Sequence, residues 1–421
     1  MKPANLPIIA KINKDNHLEI GGCDVVGLAK EFGTPLFVID EATVRDRCRA
    51  YVNAFKDVYP DTLICYASKA LCTVGLSKII ASEGLGFEVN SGGEIYTVLK
   101  AGANPDKIYF QGNNKPVKEI KEALKAGVGR IVVDNLDELR NIDMVTQESG
   151  LEANILFRVN PGIEAHTHEF IQTGKIDSKF GIGLDYVDSA VAMAKTMKKV
   201  KLHGFHAHIG SQIFDIEPFV AEAKLLLDLN KKYKTPELNM GGGVGICYTK
   251  GEKPLSLKEA AKKIAAVLKG SETRLILEPG RSIVGNAGVT IYSIGGVKNI
   301  PKIRKYIFVD GGMSDNPRPI LYGAKYEALL GNRARDEVND KVTVAGRFCE
   351  SGDILIKDLK VPESKVGDIL VVLATGAYNY SMASNYNKVG RPAMVLAGDG
   401  DPALLIKRES YEDLLIDDTA I

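Results

Sequence analysis

The sequence predicts an α/β protein: a (β/α)8 TIM barrel joined to a C-terminal β-rich domain of barrel-like or sandwich-like form. Three observations carry that reading. Short β-branched or apolar runs alternate eight times with longer stretches of helical periodicity. The alternation stops near residue 284, where strand-like runs separated by Gly, Asp and Pro turns take over. A chain of 421 residues also exceeds one ordinary core, so two domains are expected.

The eight runs are LICYA (63–67), GFEVN (86–90), KIYF (107–110), RIVVD (130–134), NILFRV (154–159), LHGFHAHI (202–209), ELNMG (237–241) and RLILE (274–278). Between them, stretches such as GGEIYTVLKAG (92–102) and PFVAEAKLLLDLNKKY (218–233) repeat apolar residues at helical spacing. Eight strand-helix units in this length favour the barrel over its rival, a doubly wound open sheet. Beyond residue 284, VTIYSIGGVKNI, KVTVAGRFCESGDIL, VGDILVVLATGAY and PAMVLAGDGDPALLI read as strands. The expected boundaries are 36–283 for the barrel, with 1–35 and 284–421 forming the β-rich domain. HLEIGGC joins that domain, and LFVID (36–40) is a further candidate for it. One long polar stretch, NPGIEAHTHEFIQTGKIDSKFGIG (160–183), interrupts the barrel; its composition suits a lid and equally a surface excursion.

Composition narrows the function. Lys+Arg total 54 and Asp+Glu 53, a net charge of +1, so no electrostatic case exists for nucleic acid or an anionic membrane. No apolar run is long enough to span a bilayer, and the short apolar stretch at the N-terminus does not read as a signal peptide. The six cysteines are scattered without a CxxC, and the histidines do not pair with them at ligand spacing. Reduced thiols, a cytoplasmic location and no metal site are expected.

In such a barrel, chemistry sits at the C-terminal ends of strands. Lys69 follows the first strand; Asn90, Ser91 and Glu94 follow the second; His206 and His208 close the sixth. Gly241, Gly242 and Gly243 follow the seventh, and Glu278 and Arg281, in EPGR, follow the eighth. Singly, each has an ordinary structural reading: lysines snorkel, lone histidines pack in cores, glycine runs make turns. Their joint placement on one rim is the argument. Glycine backbone N–H groups suit a phosphate at the usual phosphate site of this fold, and Ser211 can add a hydroxyl donor. Glu278 can accept from a protonated ring nitrogen, and His208 can lie flat on an aromatic ring. Lys69 can form an imine with an aldehyde if burial and neighbours deprotonate it. Phosphate, ring nitrogen, ring face and aldehyde together describe pyridoxal 5′-phosphate.

Read with these residues, the sequence resembles the fold-type III pyridoxal-phosphate enzymes, and within them the amino-acid decarboxylases. The likeness covers nearly the whole chain: FGTPLFVID, YASKA, EVNSGGE, FRVNPGIEAHTHEFIQTGKIDSKFGIG, HAHIGSQ, GGGVG, EPGR, VDGGMSDNPRPILYGA, FCESGD and TGAYNYSMASNYN occur in order. EVNSGGE departs slightly, with Asn90 where a smaller residue is usual, a change expected to touch neither the imine nor the carboxylate clamp. The resemblance implies that Lys69 holds the cofactor and His208 stacks on its ring, with Ser211, Gly242, Gly243, Pro279, Gly280, Arg281 and Tyr378 around the phosphate end. Glu278 keeps the ring nitrogen protonated, where related racemases place an arginine; this favours decarboxylation. Arg281, Arg318, Tyr322 and Tyr378 meet the substrate, Glu350 pairs with a distal ammonium, and Cys349 returns a proton. It implies a homodimer in which Cys349 and Glu350 reach the partner's barrel.

Substrate choice follows from the same motifs. Relatives that act on ornithine carry an aspartate after the tyrosine matching Tyr322, where this chain has Gly323. Arg318 instead offers a fork for a carboxylate, and Glu350 an anion for an ammonium. That pair fits a zwitterionic far end such as that of meso-diaminopimelate, giving L-lysine. The alternatives are another carboxylate-tailed substrate of the carboxynorspermidine kind, a basic amino acid, and a non-catalytic cofactor-binding regulator.

Overall fold

A computed structural model describes residues 5–163 and 178–419, so most of the polar stretch 160–183, which suits a lid or a surface excursion, lies outside the described residues. The chain divides into two units: Arg47–Gly245 with Lys253–Ser282, and Met1–Asp46 with Ile246–Glu252 and Ile283–Ile421.

The first unit is the barrel. Its strands are Thr62–Ala67, Gly86–Val89, Ile108–Phe110, Arg130–Val133, Ala153–Asn160, Val200–His206, Glu237–Asn239 and Arg274–Leu277. Every neighbouring pair is parallel, and the eighth returns to the first through Leu275 opposite Thr62 and Leu277 opposite Ile64, which closes the sheet. Strands buried on both faces read as continuous apolar runs, which is why all eight were visible in the sequence. Leu63, Cys65, Tyr109, Val132, Leu156 and Ile276 form one buried cluster. Each such side chain stabilises the fold by roughly 1.5–3 kcal/mol relative to exposure.

Several of the helices that follow the strands start on side-chain caps, from Thr73, Ser91, Asn135 and Ser256. Ser91 Oγ accepts from the Glu94 N–H at 3.2 Å, while Glu94 Oε2 accepts from the Asn90 N–H at 2.6 Å. Asn135 and Glu138 repeat the device after the fourth strand, with Asn135 Oδ1 accepting from the Glu138 N–H at 2.9 Å. These reciprocal bonds satisfy N–H groups the helix cannot pair itself.

In the second unit, seven strands run in the order Ile354–Val361, Asp340–Ala345, Arg304–Val309, Gly288–Ile300, Leu36–Asp40, Ala393–Gly398, Asp401–Ile406. The long strand Gly288–Ile300 also pairs with Ile369–Val372. Leu36–Asp40, placed inside the barrel segment 36–283 by the sequence boundaries, is buried in this sheet between Gly288–Ile300 and Ala393–Gly398. HLEIGGC contributes to a small three-stranded sheet, 11–12, 18–20 and 23–24. No helix among the described residues is long and apolar enough to cross a membrane.

Candidate active site

Glu278 sits one residue beyond the eighth barrel strand and is 6% exposed. Its carboxylate is ringed by donors. Gln111 Nε2 lies 2.7 Å from both oxygens, Asn239 Nδ2 donates to Oε1 at 2.7 Å, and His206 Nε2 is 3.3 Å from Oε2. Burial pushes the Glu278 carboxyl up; Asn239, the Lys69 charge and Gln111 pull the other way. His206 is held well below its usual range, first by burial and then by Arg158, so it faces Glu278 as a neutral ring.

The glycine run is tied to this carboxylate. Asn239 Oδ1 accepts from the Gly241 N–H at 2.9 Å, and the Glu278 N–H donates to the Gly241 carbonyl at 2.7 Å. A Cβ at Gly242 would lie 2.2 Å from the Glu278 carbonyl oxygen, and one at Gly243, where φ is +121°, 2.4 Å from that of Gly210. No larger residue fits either position without moving backbone. The Gly242 N–H points at His208 Nδ1 at 3.3 Å. Burial, then Lys69 and Arg158, keep His208 neutral, so Nδ1 accepts and the proton rests on Nε2. This corrects the sequence picture of unobstructed glycine amides. Two of the three are engaged within the chain, and only that of Gly243 has no partner among the described residues.

Lys69 lies not in an α-helix but in a 3₁₀ turn, Ser68–Ala70, directly after the first strand; the helix begins at Val74, capped by Thr73. A cation therefore avoids the helix N-terminus, where the dipole would oppose it. Its Nζ is 3.4 Å from Glu88 Oε2, and Glu88 is fully buried. Glu88 Oε1 accepts from Asn90 Nδ2 at 2.6 Å. The departure at Asn90 is therefore one hydrogen bond from the carboxylate facing Lys69. Burial and the neighbouring Glu88 push Glu94 up to about 7. Ser211 and Arg281 also meet, with Nε and Nη2 of Arg281 donating to the serine hydroxyl at 3.2 and 3.0 Å. Gly280 is held against Ala67, whose Cβ would be 2.9 Å from an added methyl, and the Pro279 carbonyl accepts from the Ala67 N–H at 3.1 Å.

The remaining predicted residues belong to the β-rich unit. Arg318 begins the short helix Arg318–Tyr322 and is buried. Tyr322 reaches the sulfur of Met382 at 3.9 Å. Gly323 ends this helix at φ +60° with nothing within 4 Å of an added Cβ, so its restriction is conformational rather than steric. Cys349 and Glu350 are exposed, on a turn where the Cys349 N–H donates to Asn387 Oδ1 at 3.3 Å. Tyr378 has φ +64°, a left-handed conformation that a tyrosine adopts only when its surroundings impose it.

Sequence reasoning missed Gln111, Asn239 and Glu88 in the barrel, and Tyr248, Tyr326 and Asn379 in the β-rich unit. Asn239, Glu88 and Asn379 carried a signal, each lying inside a quoted motif (ELNMG, EVNSGGE and TGAYNYSMASNYN).

The barrel residues fit pyridoxal phosphate: a lysine, a buried carboxylate surrounded by donors, a neutral imidazole and a glycine cradle that excludes any Cβ. Fold and site together define the class, a pyridoxal-phosphate-dependent carboxy-lyase, and residues 41–285 match the family described as pyridoxal-dependent decarboxylase, pyridoxal binding domain. The chain is 47% identical to a diaminopimelate decarboxylase of Synechocystis sp., over 98% of this chain and 92% of the relative. It is 44% identical to one of Bacillus subtilis, over 96% and 95%. The crystal structure of diaminopimelate decarboxylase from M. jannaschii in co-complex with L-lysine superposes with a TM-score of 0.93 at 34% identity, covering 100% of this chain and 99% of that one. This chain belongs to the diaminopimelate decarboxylase family.

Proposed function

We propose that the chain decarboxylates meso-2,6-diaminopimelate to L-lysine and carbon dioxide, the last step of lysine biosynthesis. The observation that carries the substrate is Arg318. It is a buried guanidinium, 7% exposed, with no carboxylate in ion-pair reach among the described residues. A buried cation without a counter-ion is costly unless a ligand supplies one, and a carboxylate-tailed amino acid does.

Lys69 is the residue that would hold the cofactor covalently, with His208 against the ring, Glu278 at the ring nitrogen, and Ser211, Gly242, Gly243, Pro279, Gly280, Arg281 and Tyr378 toward the phosphate. Bound there, the cofactor supplies a sink for the electron pair left on Cα when carbon dioxide departs. The amide N–H groups that Gln111 and Asn239 turn toward Glu278 donate to it and favour its anionic form against the upward push of burial. Arg281, Arg318, Tyr322 and Tyr378 orient the substrate, and Glu350 holds the distal ammonium, so only one carboxylate is left to break away. The Cα–carboxylate bond breaks, its electron pair stays on Cα, and a proton from the Cys349 thiol or the Lys69 ammonium replaces the lost carbon dioxide. The active unit in this reading is a homodimer, Cys349 and Glu350 being offered to the partner's barrel. A cytoplasmic location accords with six cysteines of which none forms a disulfide.

Incubating the purified holoenzyme with meso-diaminopimelate, while following carbon dioxide and lysine, tests the proposal. Efficient turnover of ornithine or arginine in its place would overturn the substrate, and cofactor binding without release of carbon dioxide from any diamino acid would favour a regulator.

A further inference from the structure

Arg318 is held without being neutralised. Its Nη1 donates to the Tyr326 hydroxyl at 2.5 Å, and its guanidinium lies 4.8 Å from the Tyr248 ring centre and 5.6 Å from that of Tyr326. The two rings stand edge to face, 5.5 Å apart at 85°. Burial, opposed by Arg318, pushes Tyr326 up to about 12, so at neutral pH it is a phenol with one proton to give. That proton goes to Asn379 Oδ1, 3.2 Å away. Asn379 is fully buried, and its Nδ2 has no hydrogen-bond partner among the described residues. The relay from Arg318 through Tyr326 to Asn379 thus consumes one guanidinium N–H and ends on an amide donor that is still available.

An aspartate at the end of this relay would accept the same tyrosine proton while placing a negative charge two hydrogen bonds from the guanidinium. An amide there keeps the pocket positive, and ring faces lower the cost of burying the cation without cancelling it. Such a pocket favours a carboxylate and rejects a substrate ending in an ammonium alone.

We propose that Tyr326 and Asn379 are specificity-determining positioning residues, which orient Arg318 and preserve its charge for the distal carboxylate of the substrate. The inference rests on the diaminopimelate reading above and deepens it.

The test compares wild-type holoenzyme with Tyr326→Phe and Asn379→Asp. Three quantities are measured: steady-state kinetics with meso-diaminopimelate and ornithine, inhibition by L-lysine, and bound-cofactor absorbance. For Tyr326→Phe, KM and the lysine inhibition constant should rise about tenfold, the effect of one lost hydrogen bond to a charged group, with kcat and absorbance nearly unchanged. For Asn379→Asp, the preference for meso-diaminopimelate over ornithine should fall by about tenfold or more, since the new anion competes for Arg318. A merely structural role would not shift that ratio. If Tyr326→Phe fails to fold, the near-isosteric Asn379→Asp decides alone. Unchanged KM and an unchanged substrate ratio in folded variants would overturn the inference, as would a loss confined to kcat. Wild type that ignores meso-diaminopimelate would overturn the functional reading first, and this inference with it.

Discussion

Gln111 places one side-chain amide nitrogen 2.7 Å from each carboxylate oxygen of Glu278, across a sequence separation of 167 residues. The same nitrogen is 3.0 Å from His206 Nε2, so a single amide bridges the acid and its neutral histidine neighbour. Donors around a carboxylate favour its ionised form and resist the opposing push of burial.

Gln111→Leu should therefore raise the Glu278 pKa and weaken the charge facing the cofactor ring. A lost hydrogen bond to a charged group is worth about 1.5–3 kcal/mol, so kcat should fall roughly 10- to 100-fold with KM little changed. The absorbance-versus-pH curve of the bound cofactor should move in the same variant. A kcat and a curve identical to wild type would remove Gln111 from this role.

Glu222 is fully buried on the helix Glu217–Tyr233, and neither carboxyl oxygen has a hydrogen-bond partner among the described residues. Burial, reinforced by Glu278, pushes its pKa well above 4.5. The folded chain then keeps a proton that the unfolded chain releases as pH rises past the ordinary carboxyl range, so this group lowers stability with increasing pH. Replacing it with an apolar residue of similar size should stabilise the fold by about 1–3 kcal/mol. Thermal unfolding of Glu222→Leu should show the gain at pH 8 and much less of it at pH 4; a lower Tm at both would contradict the assignment.

Arg318→Lys should raise KM for meso-diaminopimelate at least tenfold, because an ammonium cannot reproduce the two-pronged guanidinium contact. Cofactor affinity should be unaffected. Kinetics paired with a cofactor titration separate the two, and an unchanged KM would exclude Arg318 from substrate recognition.

The eight barrel strands were legible because parallel strands buried on both faces leave uninterrupted apolar runs, such as LICYA and RLILE. Lys69 and Glu278 were legible because polar residues at the ends of such runs stand out. Leu36–Asp40 was harder to place: a fully buried five-residue strand looks the same in either sheet, and only its pairing partners distinguish them. Gln111 was invisible because a lone glutamine after a strand says nothing of a partner so distant in sequence. Tyr248 and Tyr326 were missed for a related reason, since aromatic residues in a core look alike until their rings are seen around a guanidinium. Asn90 was visible but its bond to Glu88 was not: it links residues two apart on a strand end, where side chains of like parity share a face.

The central claim is that Lys69 is the covalent anchor of the cofactor. Borohydride reduction of the holoenzyme, followed by peptide mass spectrometry, tests it most directly. The adduct should be found on the peptide carrying Lys69 and be absent from Lys69→Ala, which should also lose nearly all turnover. An adduct on another lysine, or none in the wild-type protein, would contradict the account.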